Sequence, residues 1–173
     1  MPAVLEKPSQ LFFAIAQTLR AIYPALKVGS PQEFDGTDDQ PWVLIAIERD
    51  APGQRANDGR IAHVLTVSLQ VVMAVPGWDA CDLAAELKHL VMDNRWGLSG
   101  DQCDLPTELD SLPSTFIHPA RQYTAWTLSF SQTLYLGPTL LDDPLGIAKF
   151  ARTWEVSNID DRPIHRTRGM SHV

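Results

Sequence analysis

The side chains that could do acid–base chemistry here are the histidines and the carboxylates near them. Histidine occurs at positions 63, 89, 118, 165 and 172, and no two of these have the spacing of metal ligands. His63 follows Asp58 closely, and together they could form a general acid–base pair. No nucleophile or metal partner accompanies them. We therefore favour a strand histidine whose ring is satisfied by a nearby carbonyl or water.

Motifs of known reaction mechanisms are missing from the sequence. It has no Gly-rich phosphate loop, no Gly-x-Ser-x-Gly elbow and no His-Glu-x-x-His motif. The pairs Asp38-Asp39 and Asp142-Asp143 fit solvated turns better than a cation site, which draws on more ligands. Cys81 and Cys103 have no second Cys or His at metal spacing. The sequence predicts a protein that is not an enzyme, with no cofactor and no metal site.

Charge is distributed unevenly along the chain. The net charge is −7, with 9 basic and 18 acidic residues in 1–148 and 5 basic and 3 acidic residues in 149–173. An acidic body with a mildly basic tail does not resemble a nucleic-acid-binding protein, which clusters Lys and Arg against phosphates. It does suit subunits that join tail to body, although a solvated tail end is the simpler interpretation for 166–173. No apolar run approaches the ~20 residues of a membrane span, and no secretion signal opens the chain, so we expect a cytosolic protein.

A charged segment separates two predicted strands. Residues 42–48 are apolar on both faces, which predicts a central strand covered on both sides. Residues 61–75 alternate apolar and polar side chains, as a half-buried strand does. Between them, 49–60 is polar and contains the turn signal Asp58-Gly59. The three segments predict a β-hairpin with a long tip loop.

The tip of this hairpin is the predicted contact with another subunit. Fifteen extended residues would span roughly 50 Å, so part of the long strand should reach beyond one compact core. The candidates for subunit contacts are the charged residues of the tip and the one polar residue on the apolar strand face: Arg49, Asp50, Arg55, Asp58, Arg60 and His63. Two interpretations stay open, a charged tip that docks on the acidic body of a neighbour and an ordinary soluble loop.

Two helices are predicted to cover one face of the sheet. The first runs from Gln10 to Ala21 or Ile22 with Ser9 as its cap, and Pro24 stops it. Its apolar stripe contains Phe12, Ile15, Ala16, Leu19, Ile22 and Tyr23, widened by Leu11 and Phe13. The second runs from Ala80 to about Asp93, with Asp79 as N-cap and a hydrophobic staple between Trp78 and Leu83.

The remaining strands complete an α+β fold. Residues 26–28 and 114–119 predict short strands, 99–113 an acidic loop, and 124–136 a second long alternating strand. Together the segments predict a mostly antiparallel sheet of four or five strands with two helices on one face, a long hairpin and an extended C-terminal arm. We expect a domain over 1–137 and an extension over 138–173.

Hydroxyl groups line one face of the two long strands. They belong to Thr66, Ser68, Thr127, Ser129, Ser131 and Thr133, with Gln70 among them. This face is either the wet side of a one-sided sheet, which we favour, or a surface that meets a neighbour or lines a channel.

Residues 9–137 resemble the tail terminator, or tail-completion, proteins of long-tailed bacteriophages, of lambda type or Mu-like. The similar parts, in order, are a helix ending in Tyr-Pro-Ala-Leu-Lys-Val, the strand Pro-Trp-Val-Leu-Ile-Ala-Ile-Glu, a polar loop ending in Asp-Gly-Arg and the long strand. The helix Ala-Cys-Asp-Leu-Ala-Ala-Glu-Leu-Lys-His-Leu-Val and the strand Ala-Trp-Thr-Leu-Ser-Phe-Ser-Gln-Thr-Leu-Tyr-Leu-Gly follow. The resemblance is one of pattern and order.

This resemblance implies a structural virion protein. It would form a ring, a homohexamer, that caps the tail tube, ends its polymerisation and joins tail to head. Its partners would be copies of itself, the tail tube protein and neck proteins, with DNA passing unbound and no membrane involved. The expected location is the head-proximal end of the tail, and the host cytoplasm before assembly.

Other interpretations stay open at this point. The chain could be a neck or head-completion protein, or a small enzyme or ligand-binding domain. Residues 147–156 could form an arm that docks on a neighbour with Trp154 as its anchor, because this segment is otherwise too polar to pack alone.

Overall fold

The computed structural model describes residues 4–37, 39–74 and 79–140. They form two α-helices, α1 (Ser9–Ile22) and α2 (Asp79–Met92), and a 3-10 turn at Pro31–Glu33. The strands are β1 (Lys27–Gly29), β2 (Trp42–Pro52), β3 (Ala62–Met73), β4 (Thr107–Ser114), β5 (Ile117–His118), β6 (Arg121–Gln122) and β7 (Thr124–Tyr135). Neither helix is long and apolar enough to cross a membrane, within these ranges. The predicted arm lies outside them from residue 141 onward.

Five strands form one sheet in the order β1-β2-β3-β7-β4, and β5 pairs with β6 in a separate small hairpin. β1 is parallel to β2, and the other three neighbour pairs of the large sheet are antiparallel. The α+β prediction, with its mostly antiparallel sheet, is confirmed.

The main core lies between the helices and one face of the sheet. Along β3, the alternating residues Leu65, Val67, Leu69 and Val71 are completely buried, as the period-2 pattern predicts. From β7, Leu128, Phe130 and Leu134 join the same cluster, together with Leu11, Ile15 and Leu19 of α1 and Ala80, Ala84, Leu87 and Val91 of α2. Both helices therefore pack on one face, as expected.

The first helix ends at Ile22, as predicted, and differs from its prediction at its N-terminal end. Ser9 is the first helical residue and does not cap, because Pro8 precedes the helix and no side-chain cap bond forms. Instead, Oε1 of Gln10 accepts the backbone N–H groups of Glu6 and Lys7, at 2.6 and 2.8 Å. The predicted apolar stripe was too wide, since Phe13 and Ile22 are 64% and 48% exposed.

The hairpin is longer in its first strand and shorter in its loop than predicted. β2 continues to Pro52, so Arg49 and Asp50 belong to a strand, and the loop covers only 53–61. The pairing of β2 with β3 shifts by one residue between Ile47 and Arg49, which makes Glu48 a β-bulge. Because the pairing resumes after the bulge, the charged residues Glu48, Arg49 and Asp50 are part of β2.

The long strand does not project beyond its sheet. β3 covers twelve residues, and each of them pairs with a residue of β7. The expectation that this strand outreaches its own core is therefore wrong, because its length is matched by a neighbour of the same length. Ile61 lies outside it and is 53% exposed, and Val75 is not among the described residues.

The segment predicted as an acidic loop contains an edge strand. Residues 107–114 form β4, which pairs with β7 from Thr107 opposite Ser131 to Ser114 opposite Ala125. Glu108 has a φ of 55°, inside an irregular step between Thr107 and Asp110. The composition of β4, with Asp110 and Pro113, is tolerated because it lies at the edge of the sheet.

An aromatic cluster covers one end of the second sheet face. Trp42, Leu44, Val72 and Ala125 are buried there, and partly buried Phe34, Phe116 and Tyr123 pack on them. The ring of Phe34 is central, with centroid distances of 4.7 Å to Phe116, 5.3 Å to Trp42 and 5.4 Å to Tyr123. This face is therefore dry at one end and polar beyond it.

Candidate functional site

The hairpin loop, residues 53–61, is closed by its own backbone. The N–H of Gly53 donates to the carbonyl of Ala62 at 2.9 Å, and the N–H of Ala56 donates to the carbonyl of Arg60 at 2.9 Å. Gly59 has a φ of 88°, the left-handed region that glycine enters without strain. The loop is therefore a folded turn rather than an extended tip.

Arg60 fastens this loop to the rest of the sheet. Its side chain is only 5% exposed, and its Nε donates to Oδ2 of Asp58 at 2.8 Å. Its Nη2 donates to the carbonyl of Asp101 at 2.7 Å, and its Nη1 lies 3.4 Å from the carbonyls of Tyr135 and Gly137. Among the predicted contact residues, Arg60 has the least surface to offer a neighbour.

Asp58 is held by the same residue. Hydrogen bonds from the side chain of Arg60 and then from its backbone N–H lower the pKa of the Asp58 carboxyl. The structure therefore does not place Asp58 beside His63, and the acid–base pair considered from the sequence does not form. The backbone carbonyl of Asp58 also accepts a hydrogen bond from the N–H of Leu140, at 3.2 Å. Leu140 therefore lies beside the hairpin loop.

Replacing Arg60 by alanine should lower the free energy of unfolding by about 2 kcal/mol, because the charge-assisted hydrogen bonds of a buried guanidinium are lost. Urea unfolding at pH 7 measures the change. The matched control is Arg55→Ala in the same loop, where the exposed side chain should change stability by no more than about 0.5 kcal/mol. An equal loss in the two variants would contradict the role given to Arg60.

The pH dependence of the same variant gives a second measurement. A lowered carboxyl pKa contributes stability above the ordinary carboxyl range, and this contribution disappears as the pH falls through the lowered pKa. The stability difference between wild type and Arg60→Ala should therefore narrow below about pH 4.

His63 is paired with Asp50. Its Nδ1 lies 3.0 Å from Oδ2 of Asp50, and both side chains are partly open to solvent. The register sets Asp50 opposite Leu65 and His63 opposite Pro52, so the two are diagonal neighbours on one face. The bulge at Glu48 brings Asp50 onto that face. Nδ1 of His63 therefore has a strand carboxylate as its partner, a group that the sequence did not indicate.

Two predicted contact residues remain available on the surface. Arg49, on β2, and Arg55, in the loop, are both exposed, and no hydrogen bond or ion pair holds their side chains among the described residues. Trp154 lies outside the described residues. The structure thus pairs Asp58 with Arg60 and Asp50 with His63. The two exposed arginines remain candidates for contact with another subunit.

A polar strip runs along the second sheet face beyond the aromatic cluster. We define it by Glu48, Ser68, Gln70, Glu108, Ser114, Thr127 and Ser131. The hydroxyl of Ser68 donates to Glu48 at 2.6 Å, and that of Ser131 donates to Glu108 at 2.7 Å. Gln70 and Thr127 both donate to Oγ of Ser114, at 3.1 and 2.9 Å. Several hydroxyl groups of the predicted polar face thus already form hydrogen bonds within the protomer.

Gln132 is an anchor that the sequence reasoning missed. It is completely buried, its Oε1 accepts the indole N–H of Trp96 at 2.9 Å, and its Nε2 donates to the carbonyl of Asp104 at 2.6 Å. Trp96 has a φ of 60°, rare for a bulky residue, and its backbone N–H is held by Oδ1 of Asn94 at 2.7 Å. The available signal was one polar residue inside the apolar series of β7.

Cys103 lies against this anchor. Burial is the main cause that raises the pKa of its thiol to about 11, while Sγ accepts a hydrogen bond from Gln132 at 3.2 Å. Cys81 is only partly buried, in the first turn of α2. Both thiols are free.

Thiol titration should separate these two residues. At pH 8, a chromogenic disulfide reagent should modify one thiol per native chain and two per chain in urea, because the thiolate is the reactive form. Cys81→Ser should remove the native reaction, and Cys103→Ser should leave it. Rapid reaction of both thiols in the native protein would show that Cys103 is accessible.

No cluster of three or more His, Cys, Asp or Glu that could hold a metal ion occurs within the described ranges. No protein-family model matches the chain, and no curated protein matches it. One solved structure, whose name states no function, matches at 22% identity with a TM-score of 0.38, over 75% of this chain and 94% of its own. A TM-score this low supports no conclusion about fold or function.

Proposed function

We propose that this protein is a structural virion protein that caps the tail tube of a long-tailed phage. It forms a ring, a homohexamer, at the head-proximal end, ends polymerisation of the tube and joins the tail to the head. Its partners are the tail tube protein and neck proteins, and it acts by binding without turnover. The resemblance over 9–137 supports this proposal, and the order of helix, hairpin, helix and long strand agrees with it.

The structural observation that carries the proposal is the polar strip. It combines hydroxyl groups with the carboxylates of Glu48 and Glu108 on the sheet face opposite the helices. Asp110, opposite Ser129, lies on the same face, as does Arg49, opposite Thr66. The three carboxylates outnumber the guanidinium of Arg49 and give this group of residues a net negative charge, which repels phosphate, and hydroxyls that already donate to carboxylates have few protons to offer it. Such a face suits the wall of a passage that DNA crosses without being held.

Electron microscopy of phage made without this protein tests the function directly. We expect tails of abnormal length, because nothing ends tube growth. Tails of normal length that carry no head would instead place the protein in the neck. Normal tails joined to heads would refute both assignments.

A second experiment tests the polar strip. The double variant Glu48→Gln and Glu108→Gln should bind duplex DNA more tightly than wild type at physiological salt, because two repelling charges are removed. Asp82→Asn with Glu86→Gln, on the exposed side of α2, makes the same charge change away from the strip. Equal gains in the two double variants, or tight DNA binding by wild type, would count against a passage lined by the strip.

A further inference from the structure

The two helices differ in the charge of their exposed sides. α1 contains one charged residue, Arg20, and Nη2 of that residue donates to the carbonyl of Val28 on β1 at 2.6 Å. The exposed positions of α2 include three carboxylates, those of Asp79, Asp82 and Glu86. The chain has a net charge of −7, so the outer side of α1 departs from the general charge of the protein. Depletion of charge is typical of the centre of a protein–protein interface.

Phe13 lies on this outer side of α1. Within the described ranges it is the one aromatic residue whose side chain is exposed, at 64%. Its ring meets the ring of Phe12 edge to face, with 5.4 Å between the two centroids. A single exposed apolar side chain is ordinary on a protein surface, so the importance of Phe13 depends on what lies beside it.

A groove of about 340 Å³ lies beside Phe13. Ser9, one helical turn before Phe13, forms part of its wall together with Phe12. The other lining residues belong to the 3-10 turn, the residue before it and β2, and none of them is charged: Ser30, Pro31, Gln32, Ile45, Ala46 and Ile47. The groove therefore offers apolar contact to an aromatic ring. We call Phe13 and this groove together the α1 edge.

The α1 edge lies on the β1 side of the sheet, away from α2. β1 pairs with β2 only as far as Leu44, and among the described residues β2 has no strand on its outer side beyond that point. The groove follows directly, along residues 45–47. Arg20, two turns after Phe13, reaches β1, so the side of α1 that carries Phe13 faces this edge. α2 instead lies over β3, β7 and β4.

We propose that two copies of this chain pair through their α1 edges, with Phe13 of each copy seated in the groove of the other. A two-fold axis beside α1 sets the two α1 helices antiparallel. Because Phe13 and the groove are neighbours, this axis makes the same contact twice, as an isologous interface requires. The head-to-tail ring proposed above needs heterologous contacts, so the dimer is a separate assembly of the free chain and does not depend on the ring.

The charge distribution favours a second copy as the occupant of the groove. Two acidic copies repel each other wherever their carboxylates meet. Pairing through the α1 edges brings uncharged surfaces together and leaves the acidic α2 helices at the two outer ends of the dimer. The carboxylate at the end of the 3-10 turn, Glu33, accepts the N–H of Ser30 within its own copy at 2.5 Å. A basic partner, by contrast, would be attracted to α2 or to the polar strip.

Molar mass in solution, measured by light scattering during size-exclusion chromatography, tests the pairing. We expect a wild-type dimer that dissociates on dilution. Phe13→Asp should raise its dissociation constant ~100-fold, because one substitution places a charge in both grooves. The matched control is Leu112→Asp on β4, the same kind of change at an apolar side chain that is 58% exposed. This control should leave the dissociation constant unchanged.

Cross-linking tests the two-fold arrangement itself. In a Cys81→Ser background, Ser9→Cys places one exposed thiol at the groove and leaves Phe13 intact. A short bifunctional thiol reagent should then join two copies, because the two grooves lie on either side of the axis. Leu112→Cys in the same background is the matched control and should give no dimer band above background. Adding Phe13→Asp to Ser9→Cys should remove the product.

The outcomes separate this pairing from the proposed ring. A wild-type protein that is monomeric at every concentration overturns the pairing. A dimer that Phe13→Asp does not weaken, or a cross-linked product of Ser9→Cys that survives Phe13→Asp, also overturns it. None of these results bears on the ring, which is refuted instead by phage with normal tails joined to heads in the absence of this protein.

Discussion

Replacing Gln132 by leucine is expected to lower the free energy of unfolding by about 3 kcal/mol, although the two side chains are similar in size. The variant leaves the buried indole N–H of Trp96 without its acceptor, and the partly buried carbonyl of Asp104 keeps only the weak donor of the Cys103 thiol. Each unsatisfied buried group costs about 1–3 kcal/mol. Urea unfolding followed by tryptophan fluorescence measures the loss.

Two comparisons identify the cause of this loss. Gln122→Leu, at an exposed position of β6, should change stability by no more than about 0.5 kcal/mol. Combining Gln132→Leu with Trp96→Phe should cost less than the sum of the single changes, because the donor is removed together with its acceptor. Strictly additive losses would show that the hydrogen bond between the two side chains matters little.

Phe130→Ala should have the largest effect, a loss of about 4 kcal/mol, because a buried aromatic ring is replaced by a cavity. Phe130 is 1% exposed and lies on β7, and its ring centroid is 6.2 Å from that of Trp96. Chemical unfolding measures the loss, and near-ultraviolet circular dichroism should show a weaker signal from Trp96.

The control for this variant is Phe13→Ala on α1, the same substitution at a ring that is 64% exposed. It should change stability by about 0.5 kcal/mol or less. Similar losses of unfolding free energy in Phe130→Ala and Phe13→Ala would contradict the assignment of Phe130 to the core.

Periodicity was sufficient to predict the parts of the fold that have one buried face. β3, β7 and α2 were recognised because burial against the helices or the sheet imposes a period of 2 or 3.6 on the side chains. Local sequence predicts a loop for the charged segment 49–52, whereas a bulge at Glu48 and an open outer edge allow β2 to continue through these charged residues. The bulge depends on pairing with β3, which no local pattern reveals.

β4 could not be predicted for a related reason. An edge strand with exposed side chains needs no apolar alternation, and Asp110 and Pro113 are typical of turns. β4 forms because its backbone pairs with that of β7, and this pairing depends on the tertiary fold and not on the local sequence.

The candidate site was predicted in composition but not in arrangement. The sequence indicates charged residues around the hairpin, and the structure pairs Asp58 with Arg60 and Asp50 with His63. The contacts of Arg60 with Asp101, Tyr135 and Gly137 join residues far apart along the chain. Gln132 could have been noticed as a break in the apolar series, whereas its partners Trp96 and Asp104 follow from the tertiary fold.

The hydrogen bonds of Leu5 have a consequence for protein engineering. Its N–H donates to Oε1 of Gln102 at 3.0 Å, and its carbonyl accepts the N–H of Gly137 at 2.8 Å. Leu5 and Gly137, near the two ends of the folded unit, therefore lie next to each other. A short linker would connect these points in a circular permutant opened within 53–61, and the whole unit would fit as an insert into a surface loop of another protein.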